Sequence, residues 1–394
     1  MTVFGLVLVA RPPALLAYAY LGYPTLLRLL ATCRRGRGSP GPCRGDDDGR
    51  AWPTVSISLP AHNEESRLAD TLEALLALDY PADRLEIVVV SDDSTDRTDE
   101  IARGFADRGV RLLRMEPRGG KVAAENFAAP LLAGEIVVNT DATIRVPPGS
   151  LKPLVRAFDD PTVGVASGRD VSVASRQEEA NRAESGYVGY EMRVRALETR
   201  VGGIVGASGC LYAIRRELHA PPFPAHLSRD FAACLNARER GYRSVSVDEA
   251  VCFVPRTGSL RREYSRKVRT MSRGLATLWH KRHLLDPFRF GSFAWMLGSH
   301  KLARWLVPAS VPFAAAGLLL LALSGSTAAR LAAALVALGV VAGAGAMRRA
   351  ERGRARGIVA SLGYAFAANV AGLAAWGRFL IRGSDAVWEP TRRD

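Results

Sequence analysis

Apolar positions fall along this chain in two ways, as long unbroken runs and as short runs punctuated by polar turns. Ala14 to Ala31 is apolar almost throughout, close to the roughly 20 residues a helix needs to cross a bilayer. Arg11, Pro12 and Pro13 precede it and no small-residue cleavage site follows, which predicts a retained anchor over residues 1–32 and not a cleaved signal peptide. Residues 33–53, "RRGRGSPGPCRGDDDGR" at their centre, are rich in Gly, Pro and charge and read as a flexible linker. From residue 54 to 256 the pattern changes. The runs "TVSISL", "LEIVVV", "VRLLRM" and "EIVVNT" alternate with helical stretches such as Glu65–Leu78 and Asp96–Arg108. Continuously apolar strands separated by helices predict an α/β domain whose parallel sheet is covered on both faces. Residues 257–304 become basic, and Asp286 to Arg304, with Phe293, Trp295 and Met296 among cations, predicts an amphipathic helix lying at a membrane interface. Trp305–Leu323, Ala328–Ala346 and Ile358–Ile381 are again long and apolar, broken by "MRRAERGRARG". They predict about three further spans within 305–382, followed by a tail at 383–394. No internal repeat is evident.

Composition agrees with a soluble domain joined to membrane segments: of 394 residues 48% are hydrophobic and 23% charged. The formal net charge of +14 could suit nucleic acid, but the arginine clusters flank the apolar runs, Arg34, Arg35 and Arg37 after the first and Arg348 to Arg356 between two others. Basic residues at span ends mark the cytoplasmic side. The expectation is therefore a multi-pass protein of the inner (cytoplasmic) membrane with its α/β domain in the cytoplasm, and no nucleic-acid partner. Five cysteines without a CxxC spacing argue against a disulfide framework or zinc ribbon. His280 and His283 could share a helix face, but with no neighbouring ligands they read as an interface feature.

In sheets of this kind ligands sit beyond the carboxyl ends of the strands. Three strands end in polar residues that could meet there: Pro60 to Glu64, Ser91-Asp92-Asp93, and Asn139-Thr140-Asp141. Asp92 opens "DDSTDRTD", which is also a helix-capping cluster. "RGGKVAAEN" places Lys121 at a helix start, a natural anion site or an ordinary capped turn. Asp141 ends a buried strand, and two residues on, where a second acid would complete a metal clamp, stands Thr143. "GASGCLYAIRRE" brings Gly206, Ser208 and Gly209 into a short apolar run, suited to close backbone approach to a ligand or to a plain turn. Asp230 starts a helix and could be a cap or a general base. In "RREYSRKVRTMSRG", Arg269 and Arg273 are four apart on one helix face, a lipid-headgroup surface or a phosphate clamp.

The ordered series "SISLPAHNEE", "VVVSDDSTDRT", "RGGKVAAEN", "VVNTDATI", "GASGCLYAIRRE", "LSRDFA" and "RKVRTMSRG" resembles a membrane-bound family 2 glycosyltransferase, similar to the branch of cellulose, hyaluronan, chitin-oligosaccharide and poly-N-acetylglucosamine synthases. The resemblance covers about Thr54 to Gly274 and implies a GT-A (Rossmann-like) nucleotide-sugar transferase domain with transmembrane helices. It implies that Pro60 and Glu64 line the nucleotide pocket, that Asp92 holds the nucleoside, and that Lys121 lies close to the base. Asp141 matches the first acid of the family's DxD and, with Thr143, would meet a Mg or Mn ion. Asp230 falls at the general base, Arg269 and Arg273 in the region that receives the diphosphate, and Gly206, Ser208 and Gly209 at the acceptor. Three departures stand out. Thr143 replaces the second acid and should weaken metal affinity; Arg229 and not an acid precedes Asp230; and Lys267-Val268-Arg269-Thr270-Met271 lacks the tryptophan of the processive synthases. The resemblance thus implies an inverting transferase moving a hexose from a nucleotide-sugar, UDP-linked, to a saccharide or lipid-linked acceptor, with an oligomer or export partner open. Transfer to a polyprenyl phosphate, and a silent scaffold that binds nucleotide-sugar or lipid, stand as alternatives.

Overall fold

The computed structural model describes residues 2–33, 51–173, 179–255 and 259–383. The predicted linker, from residue 34 to 50, and the tail from 384 lie outside the described residues, as do Cys43 and the domain boundary at 256.

Seven strands form one sheet: β1 Val55–Ala61, β2 Leu85–Asp92, β3 Val110–Met115, β4 Ile136–Thr140, β5 Val163–Val173, β6 Leu211–Arg215 and β7 Arg243–Pro255. Their order is β3-β2-β1-β4-β6-β5-β7. The four runs recognisable in the sequence are β1 to β4, and they pair in parallel, Val55 opposite Leu85 on one side and Ile136 on the other. Successive side chains leave a strand on opposite faces, and here each face meets a core. Ile87, Val89 and Val138 join one apolar cluster, Val88, Val90 and Val137 another. That two-sided burial is why β2 and β4 read as apolar runs, whereas β3, at the sheet edge, is only partly buried and keeps Arg111 and Arg114 exposed. The rest of the sheet is mixed: β6 runs antiparallel to both β4 and β5. Its chain returns across the sheet and carries Gly206 to Gly209 to the edge where β1, β2 and β4 end.

Among the described residues, four helical segments are long and apolar enough to cross a membrane: Thr2–Cys33, Ser292–Leu323, Thr327–Glu351 and Gly357–Ile381. The first begins well before Ala14 and continues through Pro12 and Pro13, since the preceding run is itself apolar and prolines are tolerated in spanning helices. It packs on Arg304–Leu323 through small residues; a Cβ on Gly317 would lie 2.8 Å from the Gly5 carbonyl oxygen, the close backbone approach typical of helix pairs in lipid.

The predicted interfacial helix over Asp286–Arg304 is also corrected. Short helices at Pro287–Phe290 and Ser292–Leu297 lead through Gly298–Ala303 into Arg304–Leu323, and Phe293, Met296 and Leu297 are buried. They pack with Tyr23 and Leu27 of the first helix and with Val194, Phe231 and Leu235 of the α/β domain. Their apolar face meets protein. Buried polar contacts fix the same junction: His300 joins Glu198 at 2.6 Å through Nδ1 and Glu191 at 2.9 Å through Nε2, the Tyr23 hydroxyl donates to Glu198 at 2.5 Å, and Arg304 donates to Glu191 at 2.7 Å.

Candidate active site

Strands β1, β2 and β4 deliver Pro60, Asp92 and Asp141 to the wall of one cavity of about 90 Å³, which Glu64, Lys121, Thr143 and Arg269 also line. Register explains the convergence: Ala61 pairs with Ser91, so the loops after both strands open at the same level. Two residues there hold left-handed backbone, Asn63 at φ 55° and Asp93 at φ 54°, a conformation Asn and Asp tolerate best among residues with a side chain. Asn63 uses its carboxamide oxygen to accept from the Thr95 backbone N–H at 2.8 Å, and Glu64 N–H donates to the Thr98 hydroxyl at 2.8 Å.

Asp92 is only 4% exposed. Its two carboxylate oxygens accept from Gly119 N–H and Gly120 N–H, each at 2.8 Å, and its carbonyl accepts from His62 Nδ1 at 2.7 Å. Charge-assisted bonds of this kind are strong, so Asp92 fixes the loop that presents Lys121. Gly120 completes that loop at φ 87° and ψ 167°, a region open to glycine almost alone.

Lys121 begins the helix Lys121–Ala128. Its Nζ donates to Asp141 Oδ1 at 2.5 Å and to the Gly209 carbonyl at 3.2 Å. Burial opposes the charge, but Asp141, Glu125 and Asp230 outweigh it and raise the lysine pKa. The ammonium therefore stays charged where the smaller cavity joins a second of about 450 Å³ that carries Gly206, Ser208, Gly209 and Asp230.

Asp230 lies one residue inside Arg229–Glu239, whose N-cap is Ser228. It accepts from the Ser228 hydroxyl at 2.5 Å and abuts Gly209, where a Cβ would sit 2.9 Å from Oδ2. The geometry thus turns its carboxylate to the cavity. Ser208 is buried, its hydroxyl donating to Asp170 at 2.6 Å, and so shapes the floor.

The basic helix Leu260–His280 also contributes to the walls. Arg269 borders both cavities. Arg273 donates to the Ala225 and Leu227 carbonyls at 2.7 and 2.8 Å, bracing the segment that leads into Asp230; burial lowers its pKa against the pull of Asp230 and Glu125. Arg266, not singled out from the sequence, also borders both cavities. It lies three residues before Arg269, and that helical spacing was the available signal. Glu125, Tyr212 and Lys301 were missed as well; Glu125 sits one turn after Lys121, whereas the other two gave no local sign.

A divalent cation takes oxygen ligands. Asp141 and Thr143 put a carboxylate and a hydroxyl on the same wall, while among the described residues no three His, Cys, Asp or Glu side chains gather as a metal cluster. The carboxylate and the hydroxyl are oxygen donors of the kind a hard ion takes, and such an ion would need further oxygens from a bound ligand.

The fold and site define an α/β nucleotide-type domain with a polar cluster at its strand ends, seated on apolar helices. Residues 56–220 match the Glycosyl transferase family 2 domain. An uncharacterized protein of Mycobacterium tuberculosis is 30% identical over 63% of this chain and 76% of its own length. The beta-monoglucosyldiacylglycerol synthase of Synechocystis is 32% identical over 39% of this chain, which spans only 33% of that relative. Among solved structures, a mannosyltransferase from Pyrobaculum calidifontis in complex with GDP-Man and Mn2+ is 27% identical with a TM-score of 0.65, covering 93% of this chain and 99% of its own. The chain belongs to glycosyl transferase family 2 and is a glycosyltransferase of GT-A-like fold.

Proposed function

We propose that this chain is an inverting hexosyltransferase of the inner membrane, taking its sugar from a nucleoside-diphosphate hexose and passing it to a hydroxyl of a membrane-held acceptor. One observation carries the reading. Asp230 lines one cavity together with Lys121 and Asp141 of the strand-end cluster and with Lys301 and Trp305, which belong to the candidate span Ser292–Leu323. A donor enters from the strand ends and an acceptor from the membrane side.

In this mechanism the acceptor oxygen attacks the anomeric carbon, the bond from that carbon to the diphosphate breaks, and the hydroxyl proton passes to Asp230. Lys121, Arg266 and Arg269 meet the developing charge on the diphosphate, the kind of fixed electrostatic stabilisation that dominates many transfer reactions. A Mg or Mn ion held by Asp141 and Thr143 would add charge neutralisation there. Arg273 acts through the backbone it braces. An acceptor phosphate would arrive already ionised and need no base, so Asp230 supports a hydroxyl acceptor over a polyprenyl phosphate.

The resemblance points to a uridine donor, and the mannosyltransferase relative holds GDP-Man; the test spans both. Release of nucleoside diphosphate from UDP- and GDP-linked hexoses is measured with the full chain in lipid, with and without a membrane-lipid extract. Lipid-dependent release with one donor is expected. No release from any donor would overturn the reading.

A further inference from the structure

The floor of the larger cavity contains buried polar atoms that the protein itself leaves unpaired. Glu125 is 1% exposed, and neither carboxylate oxygen has a hydrogen-bond partner. Its nearest cations stand off, Lys121 Nζ at 4.0 Å and Arg229 Nε at 3.8 Å, close enough for attraction but beyond hydrogen-bond length. The Tyr212 hydroxyl, on β6, is likewise buried and unpaired. Both side chains line the cavity that holds Asp141, Lys121 and Asp230. Burying such groups without partners is costly, and a cavity wall is where a ligand can supply the missing bonds.

Position says which ligand. Lys121 bridges Asp141 and the Gly209 carbonyl, and Gly209 abuts Asp230. Glu125 lies one helical turn beyond Lys121 and within electrostatic reach of both Asp141, at the proposed diphosphate end, and Asp230, the proposed base. In the proposed reaction the transferred hexose lies between those two. Its ring hydroxyls both donate and accept, matching a carboxylate that needs donors and a phenol that can do either. We propose that Glu125 and Tyr212 form the surface that reads the hexose of the donor, Glu125 accepting from ring hydroxyls and Tyr212 completing the set, so that this pair determines which sugar is transferred. The inference rests on the donor reading given above and adds to it the residues that select the sugar. A site built to bond a substrate hydroxyl rejects an analogue lacking it far more strongly than an apolar pocket rejects a change in size.

The test uses Glu125→Gln and Tyr212→Phe in the full-length protein, with equilibrium binding of UDP, UDP-glucose, GDP and GDP-mannose. For whichever nucleotide pair the wild type binds, both variants should hold the free nucleoside diphosphate within about twofold of wild type while losing about tenfold for the nucleotide-hexose. Deoxyhexose donors lacking one ring hydroxyl should erase the difference between wild type and variant at one position of the ring. Equal losses for nucleotide and nucleotide-hexose, or none for either, would overturn the proposal and leave the pair a structural feature. If Glu125→Gln does not fold, Tyr212→Phe is judged by the same criterion alone. A wild type that binds neither nucleotide pair would instead bring down the donor reading on which this inference stands.

Discussion

In the proposed mechanism the chemistry turns on Asp230 and Thr143, and each makes a separate prediction. A general base acts in the chemical step and not in donor binding. Asp230→Asn should therefore reduce kcat by at least about a hundredfold while nucleotide affinity stays near wild type. Comparable loss of nucleotide affinity would make Asp230 a prop for the Ser228 turn to which it is bonded. Thr143 borders the same cavity as Asp141, and a neutral hydroxyl there gives a hard cation less than a carboxylate would. Thr143→Asp should lower the Mg or Mn concentration needed for half-maximal rate, read by metal titration. Unchanged dependence would show that position 143 does not face the ion.

At the scale of elements, the loop between β3 and the helix Lys121–Ala128 depends on a backbone conformation that glycine alone adopts readily. Gly120 holds φ 87° and ψ 167°, and a side chain in that region costs on the order of 1–3 kcal/mol. Gly120→Ala should lower nucleotide affinity through a displaced Lys121 and cost stability of that order; the two are read by calorimetry and thermal unfolding. A variant with wild-type affinity would detach the loop from the site. The element scale also shows where sequence reasoning reached and where it stopped. Strands β2 and β4 were legible because both faces are buried, which makes their apolar runs nearly continuous, and the edge strand β3 from an apolar run broken by two exposed arginines. β6 was not read as a strand running against the others, because "LYAIR" carries no directional signal and pairing direction is decided by the route of the chain. Asp92, Lys121 and Asp141 stood out from their places at strand ends and a helix start. The Lys121 bridge from Asp141 to the Gly209 carbonyl, and the bracing role of Arg273, depend on residues some 90 and 50 positions distant respectively. No local pattern encodes such contacts.

For the whole molecule, an acceptor arriving from the membrane side requires the α/β domain to be fixed to the apolar helices. His300 between Glu191 and Glu198, with Tyr23 on the same Glu198 oxygen, ties the first helix, the domain and the root of Arg304–Leu323 together. Removing one member of a buried hydrogen-bonded set leaves its partners unsatisfied and costs about 1–3 kcal/mol for each group left unpaired. His300→Ala should lower the unfolding temperature of the detergent-solubilised protein by several degrees and reduce transfer to acceptor more than nucleotide binding. A variant that unfolds normally and transfers normally would show that the junction is not needed for the reaction. The most direct measurement of the central claim follows a labelled hexose from its nucleotide donor in membranes that contain the full-length chain. The account predicts label in the lipid extract, joined with inversion at the anomeric carbon, and none in membranes carrying Asp230→Asn. Label joined with retained configuration, label confined to water-soluble product, or undiminished transfer by Asp230→Asn would contradict it.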